Sequence, residues 1–320
     1  VWPDGKAIAS IGRGATNSGN SDILPVLHRA SGTSDFIFPH TLDDHRYDRT
    51  QTVYWIGAGP NGDVWLVCRF YDTNDSNTAK NALYTSADKG ATFTRRIKDV
   101  SNDIRNANQV VPLDSNTAYF EHGGSLKKTD DRFSTETVLF DPNDYPEQIN
   151  KYIISRNATH IIAYGSVAGY VSTDGGQTWA KMKEWPYGPV VNEITRDYDS
   201  GGIGYGVLAE TRYSPVSGYI DENTGEIVMG LSGQNHEALG LYSSDLGQSW
   251  YITKERRGVR SNNSVRSVTI HDGEIIYLID YRNSNNDYKS RIVRSIVSSH
   301  DSATEIKLPN LGREYKIKVK

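Results

Sequence analysis

The stretch Ser172-Thr173-Asp174-Gly175-Gly176-Gln177-Thr178-Trp179 decides the fold of this chain, because the chain contains close copies of it. Residues 243–250 and 86–93 repeat its form, which is Ser-x-Asp-x-Gly-x-Thr/Ser followed by an aromatic residue. A degenerate copy of the pattern lies at 128–134. A recurring motif of this kind indicates a fold built from repeated units.

The chemistry of the motif is local. Its aspartate accepts hydrogen bonds from backbone N–H groups of its own turn, and its glycine permits a positive φ where the chain reverses. Each full copy follows a short apolar run, at 81–84, 169–171 and 240–242. The motif is therefore predicted to lie on a hairpin between two strands, with the aromatic residue entering the second strand.

These motifs are Asp boxes, and the chain resembles the Asp-box (BNR-repeat) propellers of the sialidase superfamily. Copies starting at 86, 128 and 172 are 42 and 44 residues apart, the length of one four-stranded blade. The last step, of 71 residues, predicts an insertion or an extra half-blade. We expect one all-β domain over 1–320, a β-propeller of about six blades, with five or seven as alternatives. The tail at 314–319 is expected to complete the N-terminal blade at 6–41 and close the ring.

Composition excludes several classes. The net charge is −4 and the two signs are interleaved, which argues against a general nucleic-acid binder. No segment approaches the roughly 18 apolar residues of a membrane span. The single cysteine, Cys68, has apolar neighbours and is predicted to be a buried structural thiol.

The resemblance implies a ligand site on the face opposite the boxes, where second strands end and successive blades connect. Charged residues recur at these places. The candidate catalytic residues are Glu193, which leads, with Glu121, His122 and Asp72, and the candidate substrate-binding residues are Arg69, Arg212, Arg260, Arg282, Tyr281 and Asp280. Guanidinium groups match carboxylates bidentately, and carboxylates serve as acid or base in glycosidic cleavage. The position of Arg212 depends on the register of its blade, because in a second register residues 234–237 take its place.

We therefore expect a carbohydrate-active propeller that cleaves glycosidic bonds in an acidic polysaccharide, as a hydrolase or a lyase. The alternative is a non-catalytic propeller that binds a glycan or receptor, as in a phage tail or a lectin. Exo-sialidases carry an Arg-Ile-Pro motif and a late tyrosine nucleophile, and neither is found here, although Glu193 and Arg212 have the layout of the family's base and second arginine. Endosialidase-type domains of phage tailspikes are the closer analogy.

No cofactor is expected. The oxygen-rich segments 72–76 and 283–287 leave calcium as an alternative to plain solvated loops, which we favour. The expected partner is an acidic glycan, and the expected location is extracellular or at a virion surface.

Overall fold

A computed structural model of the protein describes residues 7–10, 26–29, 48–72, 78–97, 104, 107–197, 202–212, 214–233, 238–254, 263–282 and 288–296. Over 7–10, 26–29, 48–52, 187–197 and 202–212, and at several other strand ends, it describes the backbone alone. The chain divides into two compact units, Val1–Asp141 with Arg156–Ala158, and Pro142–Ser155 with Thr159–Lys320. They are called the N-terminal and the C-terminal unit below.

The N-terminal unit contains three antiparallel sheets. A hairpin is formed by β1 (Ala7–Ser10) and β2 (Val26–Arg29). Blade A comprises β3 (Asp48–Ala58), β4 (Val64–Asp72), β5 (Thr78–Ser86) and β6 (Thr94–Ile97). Blade B comprises β7 (Asn108–Pro112), β8 (Ala118–His122), β9 (Ser125–Thr129) and β10 (Thr137–Phe140). In both blades the strands pair in chain order.

The C-terminal unit starts with a short 3-10 helix, Pro142–Asp144. Blade C comprises β11 (Ile149–Ile154), β12 (Ile161–Gly165), β13 (Gly169–Ser172) and β14 (Ala180–Lys181). The hairpin of β15 (Tyr187–Asp197) and β16 (Gly202–Arg212) follows. Blade D comprises β17 (Pro215–Ile220), β18 (Ile227–Gly233), β19 (Ala238–Ser243) and β20 (Tyr251–Lys254). Blade E comprises β21 (Asn263–His271), β22 (Glu274–Arg282) and β23 (Tyr288–Ile296).

Four-stranded antiparallel sheets in chain order are the units of a β-propeller, and the predicted all-β propeller class is confirmed. Each Asp box lies on the hairpin between the third and fourth strands of its blade, as predicted. First strands of successive blades contact each other, β3 with β7 in the N-terminal unit, and β11 with β17 and β17 with β21 in the C-terminal unit. The segments 35–38 and 314–319, assigned as strands from sequence, lie outside the described residues.

All four boxes share one set of hydrogen bonds. In the sharpest copy the Ser172 hydroxyl donates to Asp174 Oδ1 at 2.8 Å and accepts from the Gly176 N–H at 2.8 Å. The second oxygen of Asp174 accepts from the Thr178 hydroxyl at 2.6 Å. The fourth residue of the box then ties the hairpin to the loop between the first two strands, since the Gly175 N–H donates to the carbonyl of Thr159 at 3.0 Å.

The degenerate copy in blade B is a complete box in a different register. Its hydroxyl residue is Thr129, its carboxylate is Asp131, and Thr135 closes the turn with an O–H donated to Asp131 Oδ2 at 2.8 Å. The true starts at 86, 129 and 172 are therefore 43 residues apart. Phe133 occupies the glycine position at φ 70°. Its buried ring packs on Trp65 and Phe120, so the aromatic residue has moved within the motif and still fills the core.

The apolar core lies between neighbouring blades. Every residue from Val64 to Cys68 in β4 is fully buried, because a second strand has a sheet on both of its faces. Cys68 is thereby confirmed as a buried thiol. Trp65 and Val67 pack with Phe120 of blade B, and similar clusters join blade C to blade D and blade D to blade E. Within the described residues, no helix is long and apolar enough to cross a membrane.

The long step between the last two boxes contains an insertion, as predicted. Strands β15 and β16, of 11 residues each, pair with one another, and the complete blade D follows them. Blades C and D nevertheless touch directly, since the indole N–H of Trp250 donates to the Lys183 carbonyl at 3.0 Å. The hairpin is therefore an excursion of the chain between two adjacent blades.

Replacing Phe133 by glycine tests whether the displaced aromatic residue carries part of the core. The substitution restores the box consensus and relieves a left-handed conformation that costs a non-glycine residue about 1–2 kcal/mol. Loss of the buried ring costs about 3–5 kcal/mol, so we expect a net loss of about 2 kcal/mol in the free energy of unfolding. Urea titration measures it, and a Phe133→Gly protein as stable as the parent would show that the ring contributes nothing.

The melting temperature at low pH tests the hydrogen bonds of the box. The Thr178 hydroxyl, with backbone N–H groups and the Ser172 hydroxyl, lowers the pKa of Asp174 from 3.8 to about 2. A lowered folded-state pKa contributes stability above the unfolded value, and this contribution is lost as pH falls through the folded value. The Asp174→Asn variant should therefore melt below the parent at pH 7, with a gap that narrows between about pH 4 and pH 2. A gap that stays constant to pH 2 would contradict the assignment.

Candidate functional site

The two ends of each blade differ in character. The box hairpin and the loop between the first two strands meet at one end. The loop between the second and third strands, and the connections between blades, lie at the opposite end, which is called the distal end below. Ordered turns satisfy the backbone at the box end, and the sequence-predicted site residues are concentrated at the distal end.

Two predicted pairs lie at distal ends in the N-terminal unit. Arg69 and Asp72 belong to the last four residues of β4, and Glu121 and His122 are the last two residues of β8. A two-glycine turn follows His122, with φ values of 65° and 84°. The Gly124 N–H donates to Glu121 Oε1 at 3.2 Å, and His122 Nδ1 lies 3.4 Å from the Lys127 ammonium. The strands therefore fix the backbone positions from which these side chains extend. For Asp72 the backbone alone is described.

Asp280, Tyr281 and Arg282 end β22 at the distal end of blade E. The carboxylate of Asp280 accepts from the Ser290 hydroxyl at 2.5 Å and from Arg266 Nε at 2.7 Å. These two hydrogen bonds hold the pKa of Asp280 below its ordinary value. Asp280 is thus an ionised group that links all three strands of the blade. The side chains of Tyr281 and Arg282 are outside the described residues.

Three other predicted residues need correction or lie outside the description. The segment 187–193, assigned as a loop between blades, is the first part of strand β15, and Glu193 stands in it opposite Tyr205. Arg212 ends β16 and precedes blade D, whose second strand is β18. The second register considered above is therefore correct, and residues 234–237 follow the second strand. Arg260 lies outside the described residues.

A bulge marks the first strand of every blade from A to E. The extra residue stands between Val53 and Trp55, Asn108 and Val111, Ile149 and Lys151, Pro215 and Ser217, and Val265 and Ser267. In blades A, C, D and E it faces the fourth and fifth residues of the apolar run of the second strand. Bulges bend a strand and redirect the neighbouring side chain. The repeat of this bulge is not visible as a sequence motif.

The residue after the bulge connects its blade to the next blade. Trp55 Nε1 donates to the Ile104 carbonyl at 2.8 Å, Lys151 Nζ donates to the Pro215 carbonyl at 3.3 Å, and the Ser217 hydroxyl donates to the Val265 carbonyl at 3.4 Å. Each acceptor lies in, or just before, the first strand of the following blade. Side-chain bonds of this kind supplement the apolar packing between neighbouring blades. Between blades D and E the backbones also pair, Ser232 with Ser264 and Gly233 with Asn263.

Lys151 is a candidate site residue that the sequence analysis missed. Its ammonium is partly buried near the distal end of β11, 5.9 Å from the centroid of the Tyr164 ring. Burial lowers the pKa of Lys151. A lysine that follows Asn150 in a first strand of otherwise apolar and aromatic residues, 149–154, was the signal available in the sequence.

A second cluster was also missed, at the connection between β10 and β11. Tyr170 donates to Glu147, which also forms an ion pair with Lys181, and the rings of Tyr145 and Tyr170 are 4.4 Å apart. Burial favours a higher pKa for Glu147, but the bonds from Lys181 and Tyr170 outweigh it and lower the pKa. This mutual satisfaction is what a structural anchor for the connection requires.

Comparison with known proteins agrees with the repeat. The BNR/Asp-box repeat family matches residues 170–181, which contain the sharpest copy of the box. No curated protein matches the chain.

Several solved structures are similar in fold. YCF48 bound to D1 peptide is 14% identical, with a TM-score of 0.41 over 79% of this chain and 72% of that one. YCF48 from Cyanidioschyzon merolae is 13% identical, with a TM-score of 0.41 over 76% and 72%. A puromycin-hydrolyzing peptidase of Mycobacterium tuberculosis is 8% identical, with a TM-score of 0.46 over 89% of this chain and 43% of that one. None of these likenesses carries an argument about function.

The identification depends on the repeat itself. Four boxes with the same hydrogen bonds lie on equivalent hairpins of four-stranded blades, and the family match covers one of them. The chain is an Asp-box β-propeller.

Proposed function

We propose that the protein binds an acidic polysaccharide at the distal ends of its blades and cleaves glycosidic bonds in it. The observation that supports this proposal is the recurrence of charged residues on rigid strand ends. Arg69, Glu121 and His122 end second strands in the N-terminal unit, and Asp280 and Arg282 do so in the C-terminal unit. Sites on strands hold side chains more precisely than sites on loops. A polysaccharide substrate would place this activity outside a cell or at a virion surface.

Recognition would depend on cations. Arg69, Arg212, Arg260 and Arg282 are the guanidinium groups proposed to contact sugar carboxylates, each through two parallel hydrogen bonds. Tyr281 would stack on a sugar ring. Binding of this kind weakens as salt is added, because exposed charges are screened over about 8 Å at physiological ionic strength.

Cleavage would depend on a group that acts as acid or base at the glycosidic bond. Glu193 leads, with Glu121, His122 and Asp72 as the other acid or base candidates. A hydrolase would need a pair of carboxyl groups about 5–9.5 Å apart. A lyase would need a base and a cation that neutralises the uronate, roles that His122 and an arginine fit.

The second candidate function is binding without cleavage. It is favoured by the state of Asp280, whose carboxylate is already held by Arg266 and Ser290 with a lowered pKa. Glu121 likewise accepts a hydrogen bond from its own turn. Groups held in this way stabilise a binding surface, whereas a general acid needs a pKa near the operating pH.

Incubation with a panel of acidic and neutral polysaccharides decides between the two functions. Cleavage predicts new reducing ends, and lyase chemistry adds the absorbance of unsaturated uronate. The Glu193→Gln variant should then lose at least about a hundredfold in rate, the usual contribution of a general acid or base, and should still bind.

Glu222→Gln is the matched control, because Glu222 lies in the loop between β17 and β18 at the box end of blade D. Binding without new ends would establish the second function. A protein that neither binds nor cleaves any acidic polysaccharide would overturn both.

A further inference from the structure

Lys151 is a charged residue at a position where a neutral one suffices. In blades A and D the residue after the bulge is Trp55 or Ser217, and each connects its blade to the next with one neutral donor. Lys151 makes the equivalent connection in blade C, to the Pro215 carbonyl. The connection therefore does not explain the positive charge.

The ammonium of Lys151 can donate more hydrogen bonds than it makes among the described residues. An ammonium has three N–H donors, and one of them is directed at the Pro215 carbonyl. Among the described residues no carboxylate lies within ion-pair distance of Lys151, and the nearest compensating group is the ring of Tyr164. A partly buried cation without a counter-ion is costly, and it is neutralised when an anion binds beside it.

The surroundings of Lys151 suit a sugar. Asn150, the extra residue of the same bulge, is exposed, and its amide can both donate to and accept from sugar hydroxyl groups. Pro215 begins blade D three residues after the inserted hairpin ends. Among the described residues, Lys151 thus lies close to the base of the excursion between blades C and D, at the distal end of blade C.

We propose that Lys151 receives the carboxylate of an acidic sugar, with Asn150 contacting a neighbouring hydroxyl group. This inference rests on the proposed function, because it names the residue and the sugar class for the same distal surface. It adds a contact that no arginine of the sequence-predicted set supplies.

The test is a titration of the whole chain with D-glucuronate, with D-glucose as the uncharged comparison. In protein labelled with ¹³C at lysine Cε, glucuronate should shift the Lys151 signal in a saturable way, whereas glucose should not. Lys151→Gln should bind glucuronate at least about tenfold more weakly, the value of a charge-assisted hydrogen bond. Lys151→Arg should retain most of the affinity, and it also assigns the signal.

Lys183→Gln is the control, since Lys183 is exposed in the same blade and the change removes one positive charge. Its affinity for glucuronate should equal that of the parent. The glutamine amide at 151 can still donate to the Pro215 carbonyl, so a melting temperature near the parent's separates lost binding from lost folding.

The outcomes separate this inference from the proposed function. No saturable shift of Lys151, or unchanged affinity in Lys151→Gln, overturns the inference even if acidic polysaccharides are cleaved. Glucuronate binding at Lys151 without any effect on polysaccharides keeps the inference and removes the proposed function.

Discussion

The carboxylate of the Asp box is the group on which each complete blade depends. In a single turn it accepts bonds from one hydroxyl at each side and from backbone N–H groups between them. The outer hairpin is thereby fixed, and the next residue ties it to the loop between the first two strands. Both loops at one end of the blade are held by a few short polar bonds, which leaves the apolar faces of the strands free to pack against neighbouring blades.

This arrangement separates the groups that stabilise a blade from the residues of the candidate site. At the box end, hydrogen bonds within the turn stabilise the charge of the carboxylate, as the lowered pKa of Asp174 shows. At the distal end, the strands deliver charged side chains and bulges, and the connections vary in length. A box can therefore be preserved while the opposite end changes, and for this reason the boxes identify a fold and leave the ligand undefined.

The sequence predicts what is local and repeated. The sequence predicted the hairpins at 172–179, 243–250 and 86–93, because the internal hydrogen bonds of each box lie within eight residues. The copy in blade B was misregistered because Phe133 occupies the glycine position and its ring replaces the usual aromatic residue from a different place. That compensation depends on Trp65, which is distant in sequence.

The candidate site was only partly predictable for the same reason. Arg69, Glu121 and Asp280 end strands whose apolar runs are easily seen in the sequence. Glu193 was assigned to an interblade loop and Arg212 to the end of a second strand, because the pattern of 187–212 does not distinguish an inserted hairpin from two blade strands. Lys151 was missed because its importance depends on the bulge at Asn150 and on the carbonyl of Pro215.

The chain leaves blade C, forms the hairpin Tyr187–Arg212 and enters blade D at a junction where the two blades already contact each other. Trp250, Lys151 and a shared apolar core make these contacts. Such a junction is a natural place for a lineage to exchange one arm for another, and a practical place for an engineer to graft a foreign peptide or a small domain. The propeller would act as a scaffold that carries the new segment at a single splice point.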